Sequence, residues 1–375
     1  MGAPATLGAM GPARHGRRLS RRRRRRLGVF SLVIAVLVVA TALAARSGHG
    51  PSTTTTTSPP TTSTAPHTTT TAAATTGPFA VGAVTFTLSE PATASSSARS
   101  FPVTVRYPAA GAAGEARSGL PPRPGPYPLV IFSQGFDISP EAYAGLLDAW
   151  SAAGYVVADP AYPHTSPGAA GGVIRADIVH HPADLSYLVT TLLADDHSTG
   201  TLAGMIAPAP VGVIGQSDGG DVSLAVAANT CCRDNRVGAA ILLSGAELSW
   251  FPGSYFTAGS APLLVVQGTA DHVMNPVTCS VTLYDAAPRP RYYLSMLGQD
   301  HLSAYVPPGP ARATVAAVTT DFLNAYLKHL PDALAAMRAA GDVAGRALLT
   351  SQNALPAVAG TCPDAPAGSS GSSSP

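Results

Sequence analysis

The segment Val211–Gly220 constrains the fold more than any other part of the chain. It reads VGVIGQSDGG, a buried apolar strand that runs into a sharp turn with Ser217 at its tip. Gly215 and Gly219 stand where a strand-to-helix turn brings the backbone close to itself and leaves no room for a Cβ. We expect the turn to hold Ser217 in a strained conformation with its hydroxyl clear of the sheet. Asp218 should begin the following helix, where a carboxylate suits the positive end of the helix dipole. Ser217 is therefore the candidate nucleophile.

The N-terminal part of the chain predicts export. Residues 1–26 hold nine Arg and no acid, and residues 27–45 form one apolar run that is barely long enough to span a bilayer. An Arg-rich flank before such a run favours a cytoplasmic position for residues 1–26. The run fits either a transmembrane anchor or a signal peptide, since Ala42-Leu43-Ala44 resembles a cleavage site. In both cases we expect the rest of the chain outside the cytoplasm, either secreted or anchored to the cell membrane.

Composition divides the remaining chain into three segments. Residues 46–78 are rich in Thr and Pro and predict a disordered linker. Residues 79–362 have the apolar runs, aromatic residues and turn signals of one globular domain, and residues 363–375 predict a disordered tail. The formal charge of +2 hides an imbalance, because ten of the 23 basic residues lie in residues 1–46 beside no acid. The rest of the chain carries 13 − 21 = −8, which argues against nucleic-acid binding.

Apolar runs separated by turn signals predict an α/β fold. The first two strands alternate in polarity like an antiparallel pair, whereas the inner strands are apolar throughout, which is typical of a parallel sheet with helices on both faces. The predicted strands are Val84–Leu88, Pro102–Tyr107, Leu129–Phe132, Tyr155–Ala158, Val211–Ile214, Ala239–Leu243, Leu263–Val266 and Arg291–Met296. The predicted helices are Pro140–Ala153 with Ser139 as its cap, Ala176–Ala194 with a kink expected near Pro182, Asp221–Ala228, Val277–Asp285 and Ala311–Leu327.

Two polar loops complete a catalytic arrangement with Ser217. Asp271 follows the strand Leu263–Val266, and His301 follows the strand Arg291–Met296. The carboxyl ends of parallel strands meet at one edge of a sheet, where chemistry gathers. A serine hydroxyl is a poor nucleophile near pH 7 and needs a base. We expect His301 to take its proton, while Asp271 fixes the imidazole tautomer and stabilises the imidazolium.

Other titratable side chains fit these roles less well. His272 and Asp300 are direct neighbours of the acid and the base in the sequence, so they cannot easily orient on them. His180 and His181 lie in a predicted helix and should be structural or solvated. His164 lies in a loop at the same edge of the sheet, where it could contact substrate or stay at the surface.

Backbone amides are needed to stabilise the oxyanion of an acyl-transfer reaction. One candidate is the amide of Asp218, directly after the nucleophile. The other is the amide of Phe136, just past the strand Leu129–Phe132, because Gly135 lets the backbone turn inward there. The candidate substrate contacts are Gln134, His164 and Trp250.

From about Val84 to Lys328 the chain resembles the α/β-hydrolase superfamily. In the segments Pro128–Asp137 and Gly215–Gly220 it is similar to the branch that holds dienelactone hydrolases, platelet-activating-factor acetylhydrolases, plant chlorophyllases and cutinase-like polyester hydrolases. The resemblance implies an α/β-hydrolase fold with a mostly parallel eight-stranded sheet, helices on both faces, and serine acyl-hydrolase activity. It also implies a triad and two oxyanion donors, namely Ser217, Asp271 and His301 with Phe136 and Asp218.

The sequence departs from these families at positions that bear on the substrate. Gln134 stands where several of them have His or Pro, Asp218 where many have Met, Leu or Gln, and Ser217 where dienelactone hydrolases have Cys. We therefore expect an exported serine carboxylic-ester hydrolase, a monomer, that acts on a small-molecule or lipid-like ester. Two alternatives stay open: a polyester or cutin depolymerase, and a tethered domain that binds without catalysis. No spacing of ligand residues or glycines predicts a metal or another cofactor.

Four cysteines lie in the exported part, and an even number there predicts two disulfides. Cys231 and Cys232 should lie at the amino-terminal edge of the sheet, because they precede the strand Ala239–Leu243. Cys279 should lie near the opposite edge, too far away to pair with either of them. Cys362, past the last predicted helix, could reach either edge. The simplest full pairing joins Cys279 to Cys362 and Cys231 to Cys232.

Overall fold

The computed structural model describes residues 78–93, 97–195, 200–273, 276–356 and 362. All of them fall in one compact unit that spans residues 71–375. The predicted segments 1–26 and 27–45, nearly all of the predicted linker and the predicted tail lie outside the described residues. Among the helices that the structure describes, none combines the length and the apolar character needed to cross a membrane.

In the described residues, ten strands form one mixed sheet at the centre of the fold. They are β1 (Ala80–Glu90), β2 (Arg99–Ala109), β3 (Ala116–Ser118), β4 (Leu129–Ser133), β5 (Val156–Pro160), β6 (Val211–Gln216), β7 (Val237–Leu243), β8 (Leu263–Gly268), β9 (Arg291–Met296) and β10 (Ala347–Thr350). Their order across the sheet is β10-β9-β8-β7-β6-β4-β5-β2-β1-β3. Within the run β9-β8-β7-β6-β4-β5, each strand is parallel to its neighbours in that run. Antiparallel pairs join β2 to β1 and β5, and β10 to β9.

The α/β class is confirmed, but the expected count of eight strands differs from the ten observed. Each of the eight predicted strands is present, and β3 and β10 are additional. Both additional strands lie at the edges of the sheet and are short, with three and four residues. All three residues of β3 are exposed, so its sequence has no apolar alternation from which a strand could be predicted.

Within the part of the chain that the structure describes, six α-helices cover the two faces of the sheet. They are α1 (Ala144–Ala152), α2 (His181–Asp195), α3 (Asp218–Ala228), α4 (Pro276–Ala286), α5 (Pro310–Tyr326) and α6 (Ala333–Gly341). Buried side chains of α2, α3 and α4 join one apolar core, and those of α1, α5 and α6 join another. The central strand β4 contributes side chains to both cores. Leu129 and Ile131 lie in the first, and Val130 and Phe132 lie in the second. The sheet is therefore covered on both sides, as the continuous apolar runs predict.

Two predicted helices begin differently from the prediction. The segment predicted as Ala176–Ala194 is a 3₁₀ turn, Arg175–His180, followed by α2, so the break falls just before Pro182. Proline near the start of a helix costs little, because its missing N–H has no partner there in any case. The helix predicted from Ser139 likewise begins with a 3₁₀ turn at Pro140–Tyr143 before α1, and Ser139 Oγ accepts a hydrogen bond from Glu141 N at 3.2 Å.

The edge of the sheet formed by the carboxyl ends of the parallel strands is called the carboxyl edge below, and the opposite edge is called the amino edge. The loops after β4, β5, β6, β7, β8 and β9 all emerge at the carboxyl edge, since these strands run in the same direction. Every candidate site residue apart from the cysteines lies on one of these loops or at the start of the next helix.

Candidate active site

Ser217 lies in a strained turn between β6 and α3. Its φ is 53° and its ψ is −126°, a conformation that L residues rarely adopt. Crowding on both sides keeps the turn in this shape. A Cβ on Gly215 would lie 1.9 Å from the carbonyl oxygen of Gly219, and a Cβ on Gly219 would lie 2.0 Å from the carbonyl oxygen of Ser133. Only glycine fits at either position, so the sequence pattern and the backbone geometry require each other.

Asp271 and His301 form a hydrogen-bonded pair. His301 Nδ1 lies 2.9 Å from Asp271 Oδ2. The carboxylate is fully buried and also accepts bonds from Gln267 Nε2 to Oδ2 at 2.8 Å and from Val273 N to Oδ1 at 2.9 Å. Burial by itself would raise the pKa of the Asp271 carboxyl, but the bond and charge of His301 and the Val273 amide hold that pKa below its ordinary value. The carboxylate is therefore ionised and fixed in place beside the imidazole.

Gln216 connects this pair to the Ser217 turn. Gln216 Nε2 donates to the backbone carbonyl of His301 at 3.1 Å, and Gln216 Oε1 accepts from Tyr143 OH at 2.7 Å. Among the described residues, no hydrogen bond joins the Ser217 hydroxyl to the His301 ring. Hydrogen bonds of this kind often become short and well aligned only when substrate binds.

Two backbone amides near the Ser217 turn have no intramolecular partner among the described residues. In the part of the chain that the structure describes, neither Phe136 N nor Asp218 N donates a hydrogen bond to a protein acceptor. The loop that carries Phe136 lies directly against the nucleophile turn, since a Cβ on Gly135 would be 3.2 Å from Ser217 Cβ. The amide of Asp218 is the first of α3, where the helix leaves N–H groups unsatisfied. Such amides can bind an anionic oxygen.

The side chain of Asp218 does not point into open solvent but forms an ion pair with Arg175. Arg175 Nε donates to Asp218 Oδ2 at 2.9 Å and Arg175 Nη2 to Oδ1 at 2.8 Å. The guanidinium carbon lies 5.3 Å from the centre of the Trp250 ring. Trp250, a predicted substrate contact, is thus half-buried in the loop after β7, beside the start of α3.

Gln134 and His164, the two other predicted substrate contacts, lie on neighbouring loops. Gln134 is buried, and its Nε2 donates to Ser166 Oγ at 2.9 Å. Gln134 Oε1 and His164 Nδ1 are buried atoms for which the described part of the chain provides no hydrogen-bond partner. The carbonyl of His164 accepts the amide of Ile174 at 2.7 Å, so this loop is tied to the segment that carries Arg175.

The alternative acid and imidazole side chains do not take part in the Asp271–His301 pair. His272 and His180 are exposed. Asp300 accepts the amides of Leu302 and Ser303, at 3.0 and 2.8 Å, and so stabilises the turn of its own loop. His181 is buried and stacks on Tyr162 with ring centres 3.8 Å apart, and burial lowers the pKa of its imidazole. His181 is therefore structural.

The four cysteines form two bridges in the structure, Cys231–Cys232 and Cys279–Cys362. The first lies between α3 and β7 at the amino edge, and the second joins α4 to Cys362 beside Ala246 of the loop after β7. Their oxidation in the protein stays a prediction. Within the described ranges, no group of three or more His, Cys, Asp or Glu side chains could hold a metal ion.

Sequence reasoning missed two of these contacts, the Gln216 bridge and the Arg175–Asp218 ion pair. Both join residues far apart in the chain, and neither belongs to a spacing motif.

No family model matches the chain, and no curated protein matches it either. The conclusions about function therefore depend on the geometry of the site and on the sequence motifs.

Proposed function

We propose that this protein is a serine hydrolase that cleaves carboxylic esters through an acyl-enzyme intermediate. The observation that carries the proposal is the buried Asp271–His301 hydrogen bond, held by Gln216 beside the strained turn of Ser217. A nucleophile, a base and a group that orients the base are the three parts that serine acyl transfer requires. Asp271 is buried and ionised, so it can stabilise the imidazolium that forms when His301 accepts a proton.

The reaction proceeds in two halves. In the first, His301 Nε2 takes the proton of Ser217 as Oγ attacks the carbonyl carbon, and the carbonyl oxygen becomes an oxyanion that the amides of Phe136 and Asp218 stabilise. His301 then gives the proton to the oxygen of the leaving alcohol, and the C–O bond breaks. In the second half, water attacks the acyl-enzyme and gives a proton to His301. That proton returns to Ser217 Oγ as the carboxylic acid leaves.

The proposal includes membership of the α/β-hydrolase superfamily. Without the two short edge strands β3 and β10, the sheet has the eight strands that the resemblance implies, six of them parallel neighbours, with helices on both faces. The strand–turn–helix context of Ser217 supports the same assignment, because the Gly-x-Ser-x-Gly motif has catalytic meaning only in that context. The proposed enzyme is an exported monomer and uses no cofactor.

A polymeric or aggregated ester is the second candidate substrate. Ile174, next to Arg175, and Val273, two residues after Asp271, are exposed apolar side chains at the carboxyl edge. Contact with a polymer surface would cover both of these side chains, and this supports the polyester alternative. A tethered domain that only binds would have no need for the strain at Ser217.

A fluorophosphonate probe tests the proposal directly. We expect the probe to label the wild-type protein at Ser217, as located by peptide mapping, and to leave Ser217→Ala unlabelled. A screen of p-nitrophenyl esters by acyl length, compared with release of product from polyester films, then separates the two substrate candidates. A folded wild-type protein that neither reacts with the probe nor hydrolyses any ester would refute the proposal.

A further inference from the structure

A buried negative charge lies directly beside the proposed oxyanion site. Asp218 supplies its backbone amide to the oxyanion, and its own carboxylate is only 7% exposed. Two negative charges at neighbouring positions repel each other strongly where water is scarce. An unpaired carboxylate at this position would therefore destabilise the oxyanion that the Asp218 amide stabilises.

Arg175 removes this conflict by pairing with the carboxylate. The guanidinium binds both oxygens of Asp218, at 2.9 and 2.8 Å, and such two-point pairs are strong and directional. It also lies against the ring of Trp250, which approaches from the loop after β7. Arg175 therefore joins three segments of the carboxyl edge: its own 3₁₀ turn, the start of α3 and the loop after β7.

The turn that carries Arg175 is itself fixed to the sheet. Two residues further on, Asp177 accepts hydrogen bonds from both terminal nitrogens of Arg99 in β2, at 3.0 and 2.7 Å. Ile178, in the same turn, is fully buried. The guanidinium is thus presented to Asp218 from an anchored turn, not from a freely moving loop.

We propose that Arg175 is a positioning residue that neutralises Asp218 at the oxyanion hole and holds the turn after Ser217 in place. This inference rests on the proposed function, since it concerns the oxyanion of the same reaction. Arg175 acts on the reaction through Asp218 and not through the reacting atoms themselves. The ion pair also accounts for an acid at position 218, where many of the families that the chain resembles have Met, Leu or Gln, because here a cation accompanies the carboxylate.

A charge-removal series tests the proposal. We expect Arg175→Met to lower kcat by about 10- to 100-fold with little change in KM, because it leaves the Asp218 charge unpaired in the transition state. Adding Asp218→Asn to Arg175→Met should raise kcat at least about tenfold above that of Arg175→Met. The second substitution removes the unpaired charge with almost no change in shape. Arg175→Lys keeps the charge but loses the two-point geometry, and should lose much less kcat than Arg175→Met.

The kcat of the double variant decides the proposal. A double variant as slow as Arg175→Met, or slower, overturns the proposal, because removing the Asp218 charge should restore the rate if that unpaired charge is what slows the reaction. If Arg175→Met alone does not fold, a folded double variant with kcat within about tenfold of wild type supports the proposal, and a slower one overturns it.

The chain offers a matched control at the amino edge. Arg236 pairs with Asp234 at 2.6 Å, and the side-chain exposures of 31% and 10% are close to the 34% and 7% of Arg175 and Asp218. Arg236→Met should cost stability without changing kcat.

Fluorophosphonate labelling of wild type and Ser217→Ala is run alongside. If wild type is not labelled, the proposed function fails; if wild type is labelled and the rescue is absent, only the role of Arg175 fails.

Discussion

The carboxamide of Gln216 donates a hydrogen bond to the backbone carbonyl of His301, 3.1 Å away. Gln216 directly precedes Ser217, and its Oε1 accepts from Tyr143 OH at 2.7 Å. One fully buried side chain thus links the end of β6, the 3₁₀ turn before α1 and the loop after β9. This bridge connects the proposed nucleophile's turn to the loop of the proposed base, and no direct hydrogen bond joins Ser217 and His301 in the described residues.

Replacing Gln216 should therefore separate the proposed nucleophile from the base. We expect Gln216→Leu to lower kcat for a p-nitrophenyl ester by about tenfold or more, because small errors in placement are costly in acyl transfer. Steady-state kinetics of the folded variant measures this. Tyr155→Phe is the matched control, since Tyr155 OH also donates to a side-chain carbonyl, that of Asn324, at 2.8 Å, but at the amino edge. Equal losses of kcat in both variants would mean that the bridge has no special role.

Asp271→Asn tests which carboxylate orients the base. An amide can present its NH₂ group to His301 Nδ1 and favour the wrong tautomer, so we expect kcat to fall by roughly 10³- to 10⁴-fold with the fold intact. Asp300→Asn, which changes the carboxylate next to His301 in the sequence, should have a far smaller effect because, among the described residues, the Asp300 carboxylate bonds only to its own turn. Retention of most activity in Asp271→Asn would exclude Asp271 as the orienting acid.

Prolonged dialysis against EDTA should leave ester hydrolysis unchanged, because every step of the proposed reaction is assigned to a side chain or a backbone amide. Activity before and after dialysis is compared at equal protein concentration. Loss of activity that zinc or calcium restores would reveal a metal requirement and a ligand set that the proposed mechanism does not contain.

Local patterns explain why much of the fold could be predicted from the sequence. The eight main strands are apolar or alternating runs, and the Ser217 turn depends on Gly215 and Gly219, whose missing side chains the backbone requires. The 3₁₀ turns that open two predicted helices could not be foreseen, because they share the helical spacing of α1 and α2, which continue from them. Helix α6 was not predicted either.

The contacts that refine the site could not be predicted in the same way. Gln216 and His301 are 85 positions apart, and Arg175 and Asp218 are 43 apart. Each pair meets only because strand order brings their loops to one edge of the sheet. A single sequence carries no periodic signal for such pairs. Ser217, Asp271 and His301 each lie just past a predicted strand, and that position can be recognised from the sequence.

The Cys279–Cys362 bridge should stabilise the fold more than the Cys231–Cys232 bridge does. It joins residues 83 positions apart, with Cα atoms at 4.8 Å. We expect the double substitution of both cysteines by Ser to lower the free energy of unfolding by about 2–4 kcal/mol, because a long loop in the unfolded chain is released. The same change at Cys231 and Cys232 opens only a ring between neighbours and should cost much less.

Denaturant unfolding of the two double variants measures the difference between the bridges, and a non-reducing peptide map of the wild type checks the pairing. A peptide that links Cys362 to Cys231 or Cys232 would contradict the assignment. Equal stability losses in the two double variants would show that loop length is not what determines the effect.

Glu247 should make stability fall as the pH rises toward neutrality. It lies in the loop after β7, and burial raises the pKa of its carboxyl from the ordinary value of 4.5 to about 7. Between these values the folded protein keeps a proton that the unfolded chain releases. The stabilisation from this group is therefore fully present below about pH 4.5 and is lost as the pH rises through about 7.

Glu247→Gln keeps the shape of the protonated carboxyl and removes its ionisation. We expect it to raise the free energy of unfolding at pH 8 by about 2–3 kcal/mol and to change it little near pH 4.5. Urea unfolding at the two pH values measures both differences. Asp342→Asn, at an exposed carboxyl, should change neither. A gain of equal size at both pH values would assign the effect to packing and not to ionisation, because only the charged form of Glu247 carries the cost of burial.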